Sequence, residues 1–350
     1  MLVVFSHFSD LNKGFLGGFL VGGKGQFGVM LFFILSGYLM ATIYLEQPAT
    51  WANIWKFGVA RFARVMPLYL LAVWVSYWFM MSGKLPNGIF YNIDSVEKLI
   101  EHLLFIVGTS VLWSIPVEVQ FYAVFVIIWW VFARFKKGYG NLFLSALAIA
   151  CLYLQSLVPN LNYHGIHLTI GIAKAFLLYF LAGMLLGQVK LSGWSAPAYL
   201  RKNFFVMVLL LLPFFFTENY NAIFHLKNKI DYTIWLDLRN LVVMSGLFFI
   251  LVFLVPDNNI ILSNRIGKFL GDSSYSIYIL HLPILTALFR YFKQLKGAWP
   301  RLGIGLTLVL VLSYASYRLI EIPSRNWLRS LAFPRKNSGS AAEPVATQPK

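Results

Sequence analysis

The sequence predicts an all-α integral membrane protein, a polytopic bundle of about ten transmembrane helices, on three observations. Of the 350 residues, 59% are hydrophobic and only 12% are charged, about half the charged share of a soluble domain. Apolar stretches near the ~20 residues of one helical crossing recur along the whole chain. They are continuous and separated by short polar loops, whereas a transmembrane barrel shows a weaker alternation in segments of about 10 residues. Lipid offers an unpaired backbone group no partner, so a run of this kind folds as a helix.

The first element is a fragment, residues 1–8, which covers only about 12 Å at 1.5 Å per residue and falls short of a bilayer. Either the true start lies upstream and this helix is truncated, or it is a stub buried against its neighbours. Apolar runs then predict helices near residues 29–45, 65–82, 117–133, 141–158, 168–187, 203–217, 240–255, 273–289 and 302–320. They form one transmembrane domain over residues 1–333, with no internal repeat and no second soluble domain. The stretch 334–350 is polar and rich in Ser, Ala and Pro, which predicts a disordered C-terminal tail. No basic segment precedes the apolar start and no small-residue cleavage site follows it, so no cleavable signal peptide is predicted.

A net charge of +16 is explained by orientation without a nucleic-acid partner. If the 29–45 helix runs inward, the cytoplasmic segments carry Lys56, Arg61, Arg64, Arg134, Lys136, Lys137, Lys190, Arg201, Lys202, Arg265, Lys268 and the basic residues from Arg318 onward. That is the larger share, as the positive-inside rule requires. Arg290, Lys293, Lys296 and Arg301 then face outward, which leaves contact with an acidic glycan or lipid as their account. The single cysteine, Cys151, excludes an intramolecular disulfide, a cysteine metal cluster and a redox pair.

Ionisable groups inside apolar runs are costly and therefore mark candidate sites. His7 is followed by Asp10 three residues on, the same helical face, where a carboxylate fixes an imidazole tautomer and raises its basicity. The alternative is an interfacial histidine at a helix end. Arg61 and Arg64 also share a face, at the inner end of the helix that begins near Val65. Paired guanidiniums fork onto phosphate oxygens, although by spacing alone positive-inside anchoring is the favoured account.

Glu118 enters the start of an apolar helix behind Trp113, Ser114 and Pro116, and Tyr122 lies one turn on. It either caps the helix or orients substrate or histidine. Ser274, Tyr278 and His281 fall on one helical stripe, which faces the bundle interior either as a wet site or as glue between helices. Arg318 and Glu321, three apart before Pro323, read as an ion pair closing the last helix.

The order of these pieces resembles the acyltransferase-3 family of bacterial and eukaryotic membrane O-acyltransferases. The matching residues are His7, the segment Gly28-Val29-Met30-Leu31-Phe32-Phe33-Ile34-Leu35-Ser36-Gly37-Tyr38, Arg61 with Arg64, and Trp113-Ser114 through Glu118 to Phe121-Tyr122. The segment from Tyr275 to His281 and Glu321 with Pro323 complete the series, and the resemblance runs from His7 to about Trp327. It implies transfer of an acyl group, acetyl first among them, from acyl-coenzyme A to a hydroxyl of a cell-surface carbohydrate or glycolipid, in a bacterial inner (plasma) membrane.

Motifs and resemblance together assign His7, Asp10 and Glu118 to catalysis. Arg61, Arg64, Ser36 and Tyr122 are assigned to the acyl-coenzyme A co-substrate, and Trp113, Tyr278 and His281 to the acceptor. No metal and no permanently bound cofactor is expected, and the oligomeric state is left open. The Ser36-Gly37 pair implies close helix packing near the site.

Two departures stand out. The family pattern has a basic residue about ten positions before the histidine, where this chain has only six residues, and Pro116-Val117 stands where the family more often has a serine and a small residue. The competing expectations are a transporter or flippase of lipid-linked sugars without covalent chemistry, and a scaffold that has lost catalysis.

Overall fold

The computed structural model describes residues 1–12, 15–18, 25–84, 88–134, 139–157, 169–211, 238–256, 259 and 264–332. Among the described residues the regular structure is helical. The first half comprises α1 (Leu2–Leu11), α2 (Gly25–Tyr44), α3 (Trp51–Ser82), α4 (Val96–Leu103), α5 (Ser114–Phe132), α6 (Tyr139–Leu157) and α7 (Thr169–Leu191). The second comprises α8 (Ala198–Lys202), α9 (Phe204–Leu211), α10 (Leu238–Phe249), α11 (Arg265–Asp272), α12 (Ser274–Tyr291), α13 (Ala298–Ser316) and α14 (Ile322–Ala332). A 3₁₀ turn, Ser110–Trp113, leads into α5, and π turns follow α10 at Ile250–Leu254 and α13 at Tyr317–Glu321.

Among the described residues, four helical stretches are long and apolar enough to cross a membrane: Gly25–Tyr44, Trp51–Ser82, Ser110–Phe132 and Ala298–Ala332. Shorter apolar helices lie at Leu2–Leu11, Phe176–Leu191 and Leu238–Leu254. The expected count of about ten crossings is thus represented by four full-length spans. The expected helices at 141–158, 168–187 and 203–217 run partly outside the described residues, and the expected tail at 334–350 lies outside them altogether.

The helix expected at 65–82 begins fourteen residues earlier, at Trp51, where the Thr50 side chain accepts a hydrogen bond from the Asn53 N–H. The capping oxygen satisfies one of the donors that a helix start leaves open. Exposed tryptophans mark the two ends of α3, Trp51 and Trp55 at one, Trp74 and Trp78 at the other. Trp55 and Trp74 are separated by about 28 Å at 1.5 Å per residue, close to the ~30 Å hydrocarbon core that interfacial tryptophans bracket. Arg61 and Arg64 therefore sit within α3, not at the inner end of a later helix. Charge did not end this helix because its cost is met by turning Arg61 into the bundle, where it is buried.

The tightest crossing joins α2 and α7. A Cβ built on Gly37 would lie 2.0 Å from the Phe180 carbonyl oxygen, and one on Gly183 would lie 1.9 Å from that of Ile34. Gly187 meets Ala41 in the same way. Small residues let membrane helices approach backbone to backbone, where packing replaces the hydrophobic drive that lipid does not supply. Ser36 is buried beside this contact. Helix α1 leans on α2 through Gly25 and Gly28, which face Ser6 and Val3, and packs on α12 along its other side.

Candidate active site

Two helices carry most of the site. On α5, Ser114, Glu118 and Tyr122 are spaced four apart and share one face, and all three are buried. The Tyr122 hydroxyl donates to Glu118 Oε1 at 2.6 Å, and the Ser114 hydroxyl donates to the Tyr278 oxygen at 2.8 Å. On α12, the Tyr275 hydroxyl donates to the Val65 carbonyl at 2.6 Å, one residue past Arg64. The Tyr278 hydroxyl donates to the Val111 carbonyl at 2.8 Å, and the Tyr278 ring lies 6.1 Å from that of His281.

At one end of this column, the His281 and His7 rings are 5.3 Å apart, centre to centre. His7 Nδ1 stands 3.7 Å from Asp10 Oδ2, the pairing that their spacing predicted. A carboxylate on that side favours the proton on Nδ1 and leaves Nε2 as the basic nitrogen. His281 is fully buried. Its Nδ1 donates to the carbonyls of Tyr278 at 2.7 Å and Ile277 at 3.1 Å, which leaves Nε2 as a lone-pair acceptor with no hydrogen-bond partner among the described residues. A buried acceptor in that condition costs about 1–3 kcal/mol unless a donor reaches it.

At the opposite end, Arg61 is 92% removed from solvent. Its guanidinium carbon lies 5.6–5.9 Å from the ring centres of Tyr44, Phe57 and Tyr122, and its Nε has no hydrogen-bond partner among the described residues. Three rings stabilise the cation through their faces. Arg64 is exposed, and both arginines act electrostatically on Glu118. Tyr275 and His281 are six residues apart, so about 9 Å of helix rise separates the two ends.

Three members lie outside the assigned set: Glu321, Ser276 and Tyr275. Glu321 was expected to pair with Arg318; instead it is buried and accepts from the Ser276 hydroxyl, itself 3.3 Å from Ser316 Oγ, and Arg64 is among the charges that act on it. Ser274, expected on the polar stripe, is exposed and donates to the Gly271 carbonyl, while Tyr275 and Ser276 point inward. Of the other expected residues, Trp113 packs its ring on Phe33 and Phe176 at 6.3 and 4.9 Å. No hydrogen bond among the described residues ties Ser36 to the arginines.

Away from the column, fully buried His102 fastens α4 to the turn that leads into α5. Nδ1 donates to the Lys98 carbonyl at 2.6 Å, while the Thr109 N–H and hydroxyl approach Nε2 at 3.0 and 2.7 Å. Because a backbone N–H donates to Nε2, the ring is neutral, and burial pushes its pKa below the ordinary histidine value. A lone histidine in a short helix gave no sequence signal for this role.

Over residues 1–318 the chain matches the family model described as an acyltransferase domain. It is similar to O-acetyltransferase OatA of Staphylococcus aureus strain NCTC 8325, 25% identical over 365 residues that cover 92% of this chain and 56% of the relative. The OatA of strain MRSA252 is 25% identical over 359 residues, covering 90% of this chain and 55% of the relative. The chain thus spans about half the length of the curated relatives it matches. No solved structure matches it.

Proposed function

Since the chain belongs to the acyltransferase family whose domain it matches over residues 1–318, we propose that it is a membrane O-acetyltransferase moving an acetyl group from acetyl-coenzyme A to a carbohydrate hydroxyl. The single observation that carries this reading is the polar column itself: a histidine–carboxylate pair and a ring-caged arginine at the two ends of one buried line of side chains. The donor enters from the cytoplasm. Arg61, held by its rings with donors to spare, and Arg64 at the mouth bind its phosphates. Glu118, anchored by Tyr122, sets the orientation of the guanidiniums.

The acceptor enters from the outer side. His7 Nε2 takes the hydroxyl proton as the oxygen attacks the thioester carbon; the carbon–sulfur bond breaks, and the imidazolium returns the proton to the departing thiolate. Asp10 supports the imidazolium, and the free Nε2 of His281 accepts a hydrogen bond from the incoming sugar. The reading places the protein in a bacterial inner membrane, with a glycan or glycolipid of the cell surface as acceptor.

Replacing His7 by alanine is the direct test. A positioned base is worth about 10²–10⁴-fold in rate, so acetyl transfer to glycan, followed by mass spectrometry, should fall by that factor. Retained turnover would remove His7 from the chemistry. A transporter of lipid-linked sugars would release no free thiol from acetyl-coenzyme A in an acceptor-dependent manner.

A further inference from the structure

Helix α12 contains a proline, Pro283, one turn after Ile279. Proline has no N–H, so the Ile279 carbonyl loses its intrahelical partner, and the ring crowds that carbonyl as well. Ile279 is fully buried, so its carbonyl is shielded from bulk solvent. The partner comes from far along the chain: the Tyr91 hydroxyl, in the segment between α3 and α4, donates to the Ile279 carbonyl. Tyr91 is itself buried at 3% exposure, so the bond is shielded and desolvated at both ends. His281 stands between Ile279 and Pro283, and its own Nδ1 is bonded to carbonyls of the preceding turn. The backbone geometry of this turn therefore sets where the His281 ring stands relative to His7.

We propose that Tyr91 is a positioning residue: its hydroxyl clasps the backbone carbonyl freed by Pro283 and so fixes the course of the α12 turn that presents His281 to His7. A cavity of about 210 Å³ adjoins the clasp, lined by Leu68, Ala72, Phe90, Tyr91, Leu280 and Pro283 among others. Once unclasped, the helix has room to move into it. The segment on the outer side, where the acceptor arrives, is thereby tied to the centre through one hydroxyl. This rests on the reading of His281 as part of the active centre.

The test uses the purified full chain and three variants, Tyr91→Phe, Pro283→Ala and the double variant, each examined for thermal unfolding and for acetyl-transfer kinetics. Tyr91→Phe keeps the ring and removes only the donor. It should lower the unfolding temperature and reduce kcat about 10- to 100-fold, the scale of a misplaced active-site group, with donor KM unchanged. Adding Pro283→Ala returns an N–H to the Ile279 carbonyl. The double variant should recover its unfolding temperature but not its kcat, because the altered turn still misplaces His281.

Recovery of both quantities would reduce the clasp to a purely structural bond and overturn the proposal. So would a Tyr91→Phe protein with unaltered stability and kinetics. Should the unaltered chain transfer no acetyl group, the functional reading fails by itself. The clasp is then judged on unfolding temperatures alone: a restored double variant supports it, and simple additivity of the two substitutions overturns it.

Discussion

Arg61 occupies the most demanding setting of any residue in the site. A guanidinium buried at membrane depth is expensive, and this one is met by three aromatic faces and a carboxylate within electrostatic reach. Its planar fork stacks and binds phosphate in ways that an ammonium cannot. Arg61→Lys should therefore raise the KM for acetyl-coenzyme A about tenfold or more while leaving kcat within a few-fold, since one charge-assisted hydrogen bond contributes ~1.5–3 kcal/mol. A steady-state titration of the donor reads this directly, and an unchanged KM would leave Arg61 with packing alone. The pairings legible in the sequence were the local ones, His7 with Asp10 and Glu118 with Tyr122, because helical spacing alone brings residues three or four apart together. His7 beside His281, and Glu321 beneath Ser276, depend on which helices touch, and no spacing encodes that. The misreading of Glu321 has a specific cause. The π turn Tyr317–Glu321 inserts extra residue into the helix, which shifts the face downstream by about 100° and turns an apparent partner of Arg318 toward the interior.

At the scale of elements, the α2–α7 crossing is the joint on which the column depends, since α2 also carries α1 and its histidine. Gly37→Ala and Gly183→Ala each press a methyl group into the backbone of the other helix. Ordinary overpacking costs about 1–3 kcal/mol, and backbone atoms yield less than side chains, so both variants should lose more than that. Gly58 is the matched control: it is helical, and nothing lies within 4 Å of its built Cβ. Gly58→Ala should stabilise the protein by about 0.4–1 kcal/mol through the unfolded state. Thermal unfolding in detergent compares the three, and equal effects at Gly37 and Gly58 would deny the close contact. The Gly37 contact was legible as a small-residue pair, but its partner on α7 was not. The start of α3 was missed for the opposite reason: Arg61 and Arg64 look like the end of a span until the burial of Arg61 among the Tyr44, Phe57 and Tyr122 rings is seen.

At the scale of the whole molecule, composition fixed the class, and orientation decides whether the chemistry is feasible. Coenzyme A thioesters are cytoplasmic, so the proposed donor requires the Arg61 end of the column to face inward and the His7 end outward. The structure supplies an internal constraint: the Trp129 indole near the end of α5 donates to the Gln47 carbonyl just after α2, at 2.8 Å, so these two ends share one side. The basic cluster expected to face outward is in part structural. The Arg301 guanidinium bonds the Leu295 carbonyl at 2.7 Å, reaches Asn12 Oδ1 at 3.5 Å and lies 5.3 Å from the Phe289 ring centre, which ties the loop after α12 to the end of α1. That gives Arg301 a reason to stand against the positive-inside rule. The sequence contains one cysteine, Cys151, so a Cys151→Ser background permits single new thiols at exposed Gln47 and Lys293. A membrane-impermeant thiol reagent should label Lys293→Cys in intact cells and Gln47→Cys only after permeabilisation. The reverse pattern would put the arginines where no thioester is made, and the column, however well built, would have no donor to receive.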